Sequence, residues 1–401
     1  MTVDEGGNVQ STVDAPAPAP RPRRRWLRIT VISVLSVLLL AVVATAGTGY
    51  YFSGVLLNVD NSTSYPVDVE AIHGDQVTLS RDSDTERPVM EGLWWNGGAA
   101  LLSATVNVNG NSVVRSITST LHGALTPGLR AAIDVRMYDG DPLTDRGLHF
   151  DAVPVTGELG AMPAWFVPPT TTTASTTWVI AIHGRRGDMT EPLRILPTLA
   201  ASGHPTLVIS YRNDPDTPHS PDGYYHLGDT EWRDVQPAIG YARAHGATGV
   251  VLYGWSMGGT LSVTALRRMP TADVSFVRAL ILDSPAIDWT NVLDFQGAQR
   301  NLPGLITWTA ERLVELRTGL SLSNLDGRSY GHQLSVPTLM FLDTQDQTVP
   351  NGPALDFAAA ARPGLVTLVT TTGGDHTGSW NVDPDAYQAK VTSFLAEKVP
   401  G

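Results

Sequence analysis

The chain has 401 residues, 42% of them hydrophobic and 16% charged, with 38 glycines, 28 prolines, no cysteine and a formal net charge of −12. That length is enough for about two to three average domains and for a substantial buried core. The acidic balance argues against a nucleic-acid partner, which would need a basic face, and the lack of cysteine excludes a thiol nucleophile, a thiolate metal site and any disulfide.

Residues 1–28 read as a disordered basic tail. The stretch up to Pro20 is small, polar and proline-rich, and Arg21, Arg23, Arg24, Arg25 and Arg28 follow. No charged residue then appears until Asp60. Within that gap residues 29–49 are nearly all apolar or small, and about 20 such residues span a bilayer core. A transmembrane helix is predicted there, with Tyr50, Tyr51 and Phe52 at the far interface. The arginines before the span place the N-terminus in the cytoplasm and the remainder of a single-pass chain outside it. The alternative is a signal peptide cleaved near Ala46, after the small-x-small run Ala44-Thr45-Ala46, which would release a secreted protein. The apolar stretch is longer than the ~7–15 residues of a signal core, which favours an uncleaved anchor.

Residues 55–154 favour strands and turns. Val67-Asp68-Val69-Glu70 and Thr105-Val106-Asn107-Val108 alternate, Asn109-Gly110 marks a hairpin, and Gly92 to Gly98 reads as an aromatic strand ending in a turn. This segment carries no catalytic constellation and is expected to be a small β-rich cap or spacer. Val167-Pro168-Pro169 and the threonines after it look like a stiff linker.

Residues 155–401 change to strand–helix alternation. Apolar runs at 178–182, 207–210, 250–253, 279–282, 338–342 and 365–369 are separated by helical patterns at 190–202, 231–245 and 256–269. Such alternation predicts a mostly parallel sheet with helices on both faces and a site beyond the carboxyl ends of its strands.

Gly254-Trp255-Ser256-Met257-Gly258 closes one of these strands and opens a helix. Ser256 would occupy a sharp turn where the flanking glycines remove side chains that would clash. Asp343 and Asp346 follow a later strand, and Asp375-His376 follows the last. A serine hydroxyl needs a base, here His376, and the base needs a carboxylate to orient it. Asp283, Asp343 and Asp346 all lie at strand ends on the same sheet edge and could each supply it. The backbone N–H groups of Met257 and Arg185 are candidates for an oxyanion hole. His183, in the turn His183-Gly184, reads as structural, and Arg185 and Arg186 as solvated. The acidic loop 214–229 fits no calcium pattern and reads as a solvated rim.

The sequence resembles the α/β-hydrolase superfamily, and within it membrane-anchored bacterial hydrolases with an N-terminal span and a β-rich segment. The resemblance rests on Trp178 to Arg186, Ser210 to Asp214, His226 to Trp232, Leu252 to Gly259, Asp283 to Trp289 and His376 to Pro384. It implies an α/β-hydrolase fold with a lid insertion at about 288–336 and a catalytic triad of Ser256, Asp346 and His376. Asp343 stands where the family usually has glycine, which leaves it as an alternative acid. The implied reaction is hydrolysis of small-molecule or lipid-like carboxylic esters through an acyl-enzyme, with no metal or cofactor. A peptidase, a thioesterase or a non-catalytic envelope scaffold on the same fold are the alternatives.

Overall fold

The computed structural model describes Thr2, Gly7, residues 23–60 and residues 62–399. Most of the expected disordered tail, 1–28, lies outside the described residues. Its end does not fit that expectation: a helix begins at Arg23 and runs unbroken to Leu57. No proline follows Pro22 in this stretch, so nothing interrupts the helix until Asn58. From Trp26 to Val43 its large apolar side chains are exposed, whereas Ser53, Leu56 and Leu57 are buried. The helix therefore outruns the expected span, 29–49, and its last turns pack as core. Gly49 permits this packing, since a Cβ there would lie 2.8 Å from Thr309 Cγ2. The chain divides into two compact units, Met1–Gly47 and Thr48–Gly401.

The β-rich segment is a closed antiparallel barrel of six strands: β1 (Val67–His73), β2 (Gln76–Ser80), β3 (Glu91–Trp95), β4 (Gly98–Asn109), β5 (Ser112–His122) and β6 (Arg130–Asp134). The order is β1-β2-β5-β4-β3-β6, and β6 returns to β1 through Val67 and Ala131. In β1, Val67 and Val69 point inward and Asp68 and Glu70 outward, as a half-buried strand requires. Gly98 after the β3 turn is needed because a Cβ would fall 2.3 Å from the Trp95 ring. Inside the barrel wall, Glu91 pairs with Arg115 at 3.1 Å, both side chains fully buried, and with Arg87 at 2.5 Å. Burial pushes the Glu91 carboxyl up to about 7 despite the two guanidiniums.

The remaining strands form one sheet: β7 (Asp151–Gly157), β8 (Gly160–Val167), β9 (Thr177–Ile182), β10 (Thr206–Ile209), β11 (Gly249–Trp255), β12 (Val277–Asp283), β13 (Thr338–Asp343) and β14 (Val366–Thr371). Their order is β14-β13-β12-β11-β9-β10-β8-β7. The strands from β9 to β14 are parallel, and β7 and β8 are an antiparallel hairpin added beside β10. Alternate residues feed two cores. Ile180, Leu252 and Leu280 face the helices Trp232–Ala244 and Met257–Arg268, while Val179, Val251 and Ile281 face Leu196–Ala201 and Pro384–Lys398.

The hairpin moves one expected boundary. β7 starts at Asp151, before residue 155, and the proline and threonine run expected to be a linker connects β8 to β9 within the same sheet. Pro154 stands on the edge strand β7, and its partner Pro163 lies on β8 just before the stretch Ala164–Val167 that pairs with β10; their presence hides the strand pattern. Between β12 and β13 lie the helices Trp289–Gln299 and Gly304–Thr318. Leu305, Trp308 and Leu316 of the second are exposed rather than packed.

Candidate active site

The carboxyl ends of β11, β13 and β14 bring three side chains together. Ser256 joins β11 to the helix Met257–Arg268 with φ 49° and ψ −115°, a conformation that non-glycine residues rarely adopt. The flanking glycines are steric necessities. A Cβ on Gly254 would lie 2.4 Å from Gly258 C, and one on Gly258 would lie 2.0 Å from the Ile182 carbonyl oxygen.

His376 Nε2 lies 2.8 Å from Ser256 Oγ, and its Nδ1 lies 2.8 Å from Asp346 Oδ2. An ionised carboxylate can only accept, so Nδ1 carries the ring proton and Nε2 is left to accept from the serine. The other Asp346 oxygen accepts from the N–H groups of Thr348 and Val349, both at 2.8 Å, which fixes the carboxylate in its turn. Burial pushes the His376 imidazole down, but the Asp346 charge and hydrogen bond, with Glu191 and Asp283 behind them, leave it above its ordinary value.

The other two candidate acids have different partners. Asp343 is fully buried and accepts from Gln345 N, Thr371 Oγ1 and Gly374 N, each at 2.9 Å. It ties the end of β13 to β14 and to the histidine loop, and its carboxylate does not bond His376. Asp283 accepts from the Tyr387 hydroxyl at 2.8 Å, and burial holds its carboxyl up to about 6.

The His183-Gly184 turn lies against the serine: a Cβ on Gly184 would be 3.0 Å from Ser256 Cβ. This places the Arg185 loop beside the Ser256 turn. Among the described residues, the N–H groups of Met257 and Arg185 donate to no protein acceptor. Two braces of this loop escaped sequence reasoning. Glu191, buried, accepts from Gly184 N at 2.7 Å. His183 Nδ1 lies 2.8 Å from the Gly184 carbonyl and its Nε2 2.8 Å from Asp214 Oδ2, so the acidic loop is not wholly a solvated rim. The Asp214 charge outweighs the burial of the His183 ring and lifts its pKa to about 9. Nor is Arg185 solvated as expected. It caps the N-terminal helix, donating to the carbonyls of Leu56 at 3.1 Å and Val55 at 3.4 Å.

A third brace comes from the barrel. Asp375 Oδ1 accepts from His376 N at 2.8 Å and Gln347 N at 2.9 Å, so one carboxylate joins the histidine and acid loops. Its other oxygen takes Arg87 of the barrel at 3.0 Å. Asp375 before His376 was visible in sequence, but its partner, 288 residues away, was not.

Two families match this chain. Residues 68–134, the barrel, match a domain of unknown function. Residues 177–302, from β9 past the first helix after β12, match the alpha/beta hydrolase fold. The chain contains an α/β-hydrolase domain. An esterase of Pyrococcus furiosus superposes on it with a TM-score of 0.51 and 18% identity, over 64% of this chain and 94% of that one. An esterase of Pyrobaculum calidifontis gives 0.46 and 17%, over 62% of this chain and 85% of that one. At such identities the likeness to the α/β-hydrolase domain is one of fold. Among the described residues, no group of histidines and carboxylates could hold a metal ion.

Proposed function

We propose that this protein is a serine hydrolase that cleaves carboxylic esters. The observation that carries the reading is the pair of 2.8 Å contacts running from Ser256 through His376 to Asp346, beside an apolar cavity. Ser256 Oγ attacks the ester carbonyl carbon while His376 Nε2 takes its proton, and the carbonyl oxygen becomes an oxyanion facing the N–H groups of Met257 and Arg185. The tetrahedral carbon then expels the alkoxide, which receives the proton from His376 and leaves as an alcohol. Water attacks the acyl-enzyme, gives its proton to His376, and releases the acid as Ser256 regains its hydroxyl. Asp346 stabilises the imidazolium at each stage without accepting its proton.

The domain organisation belongs to the same proposal: a tail ahead of the helix Arg23–Leu57, a membrane span at 29–49 within that helix, the β-rich barrel, and a catalytic domain that begins with the β7–β8 hairpin at Asp151 and carries a lid at about 288–336. The exposed apolar run of the N-terminal helix and the arginines before it support a single-pass anchor with the catalytic domain outside the cytoplasm.

The test is labelling by a fluorophosphonate probe together with hydrolysis of p-nitrophenyl esters and aminoacyl anilides. Ser256→Ala should fold normally and lose both labelling and turnover. Wild-type turnover in that variant would refute the mechanism, and faster anilide than ester hydrolysis would make the protein a peptidase.

A further inference from the structure

A cavity of about 230 Å³ ends at Ser256 and His376. It is larger than the ~150 Å³ apolar cavity that holds a benzene molecule. One side is formed by Leu293, Leu302 and Ile306, from the two helices after β12 and the turn that joins them. The facing side is formed by Phe52, Val55 and Leu56, the last turns of the N-terminal helix.

That helix end is fixed in place. Arg185 caps its final carbonyls, Arg317 Nη1 donates to Ser53 Oγ at 2.7 Å, and Tyr225 N donates to the Leu57 carbonyl at 2.9 Å. A cation at a helix C-terminus is favoured by the helix dipole, and Arg185 makes this contact from the loop beside Ser256. Val55, within so firmly held a turn, is still 46% exposed and borders the cavity. An apolar side chain left uncovered beside a reactive serine is suited to apolar ligand atoms.

We infer that this cavity is an acyl-chain site whose length limit is set by Phe52, Val55 and Leu56, and that its substrates are esters of longer apolar acids rather than acetyl esters. The inference rests on Ser256 being the nucleophile of the proposed reaction. An acetyl group would leave most of the apolar wall in contact with water, whereas each methylene that the wall buries favours the reaction about fourfold. The end of the N-terminal helix is then part of the specificity machinery.

Two measurements on the full-length chain in detergent micelles test this. First, decanoic acid carrying a terminal diazirine is photolysed with the protein, and labelled peptides are mapped by mass spectrometry. Labels on peptides holding residues 52–56 and 293–306, displaced by excess decanoate, are expected. Labels confined to residues 29–47, the pattern of partition into the micelle, would overturn the site. Second, kcat/KM is measured on p-nitrophenyl esters from acetyl to decanoyl. Val55→Trp should lower the octanoyl-to-acetyl ratio at least about tenfold, while Leu316→Trp, at an exposed position outside the cavity, should leave it unchanged. An unchanged ratio in Val55→Trp would overturn the assignment. Displaceable photolabelling of the cavity without hydrolysis of any ester would uphold the binding site and refute the esterase reading instead.

Discussion

Asp346→Asn is the sharpest probe of the proposed chemistry, because the structure dictates how the amide must orient. Asp346 Oδ1 accepts from two backbone N–H groups, and Oδ2 faces His376 Nδ1. Placing the new NH2 at the Oδ1 position would set it against both N–H donors in a side chain only 1% exposed. Each donor left without an acceptor costs about 1–3 kcal/mol. The amide oxygen therefore keeps the Oδ1 position, and the NH2 points at the imidazole. Nδ1 must then present its lone pair, which moves the ring proton to Nε2, where it faces Ser256 and cannot accept the serine proton. The wrong tautomer should lower kcat by up to about 10⁴-fold, equivalent to about 5 kcal/mol of barrier. The same hydrogen bonds survive in the fold, so the melting temperature should shift by only a few degrees. Asp343→Asn should behave oppositely: both Asp343 oxygens accept, so the NH2 must face at least one donor, Gln345 N on the Oδ1 side, which should lower the melting temperature while kcat stays within about tenfold. The assay is kcat on p-nitrophenyl butyrate beside thermal unfolding of both variants. An active Asp346→Asn with an inactive Asp343→Asn would refute the reasoning.

Three further outcomes are expected. Because the His376 imidazole is held above its ordinary value and must be neutral to act as base, kcat/KM should rise with pH through a midpoint above about 6.5. A midpoint more acidic than that would show that Asp346 does not govern the ring. Arg87→Ala frees Asp375 from the barrel and should lower kcat on the order of tenfold with little change in KM, since small misplacements near the reacting atoms are costly. Unaltered kcat beside a lowered melting temperature would reduce the barrel to a purely structural part. Protease added to intact spheroplasts should digest the catalytic domain and spare residues 1–28, and protection of that domain would reverse the proposed topology.

The parts of this molecule that were legible in sequence are those whose physical requirement is local. Strands β9 to β13 announce themselves because a strand covered on both faces must be apolar at successive positions. The Ser256 turn does so because only glycine fits at 254 and 258. The β7–β8 hairpin was hidden by Pro154, on the edge strand, and Pro163, just before the part of β8 that pairs with β10. Barrel closure joins Val67 to Ala131, and no local pattern specifies such a pairing. At the site, Asp346 could be separated from Asp343 in sequence only by family resemblance. The physical distinction lies in which backbone N–H groups each carboxylate meets. The Asp375–Arg87 contact and the helix end at Phe52 to Leu56 depend on tertiary placement alone. The absence of any charge between Arg28 and Asp60 was the one trace of the latter, and it reads equally well as membrane or as core.

The backbone at Ser256 also bears on how such a protein can change over time. A non-glycine residue at φ 49°, ψ −115° costs on the order of 1–3 kcal/mol, and the surrounding glycines hold it there. Glycine at 256 would relieve that cost and remove the hydroxyl in the same step. Selection acting on thermostability alone would therefore drift toward an inert fold. A serine at this position is accounted for by the proposed chemistry and not by folding.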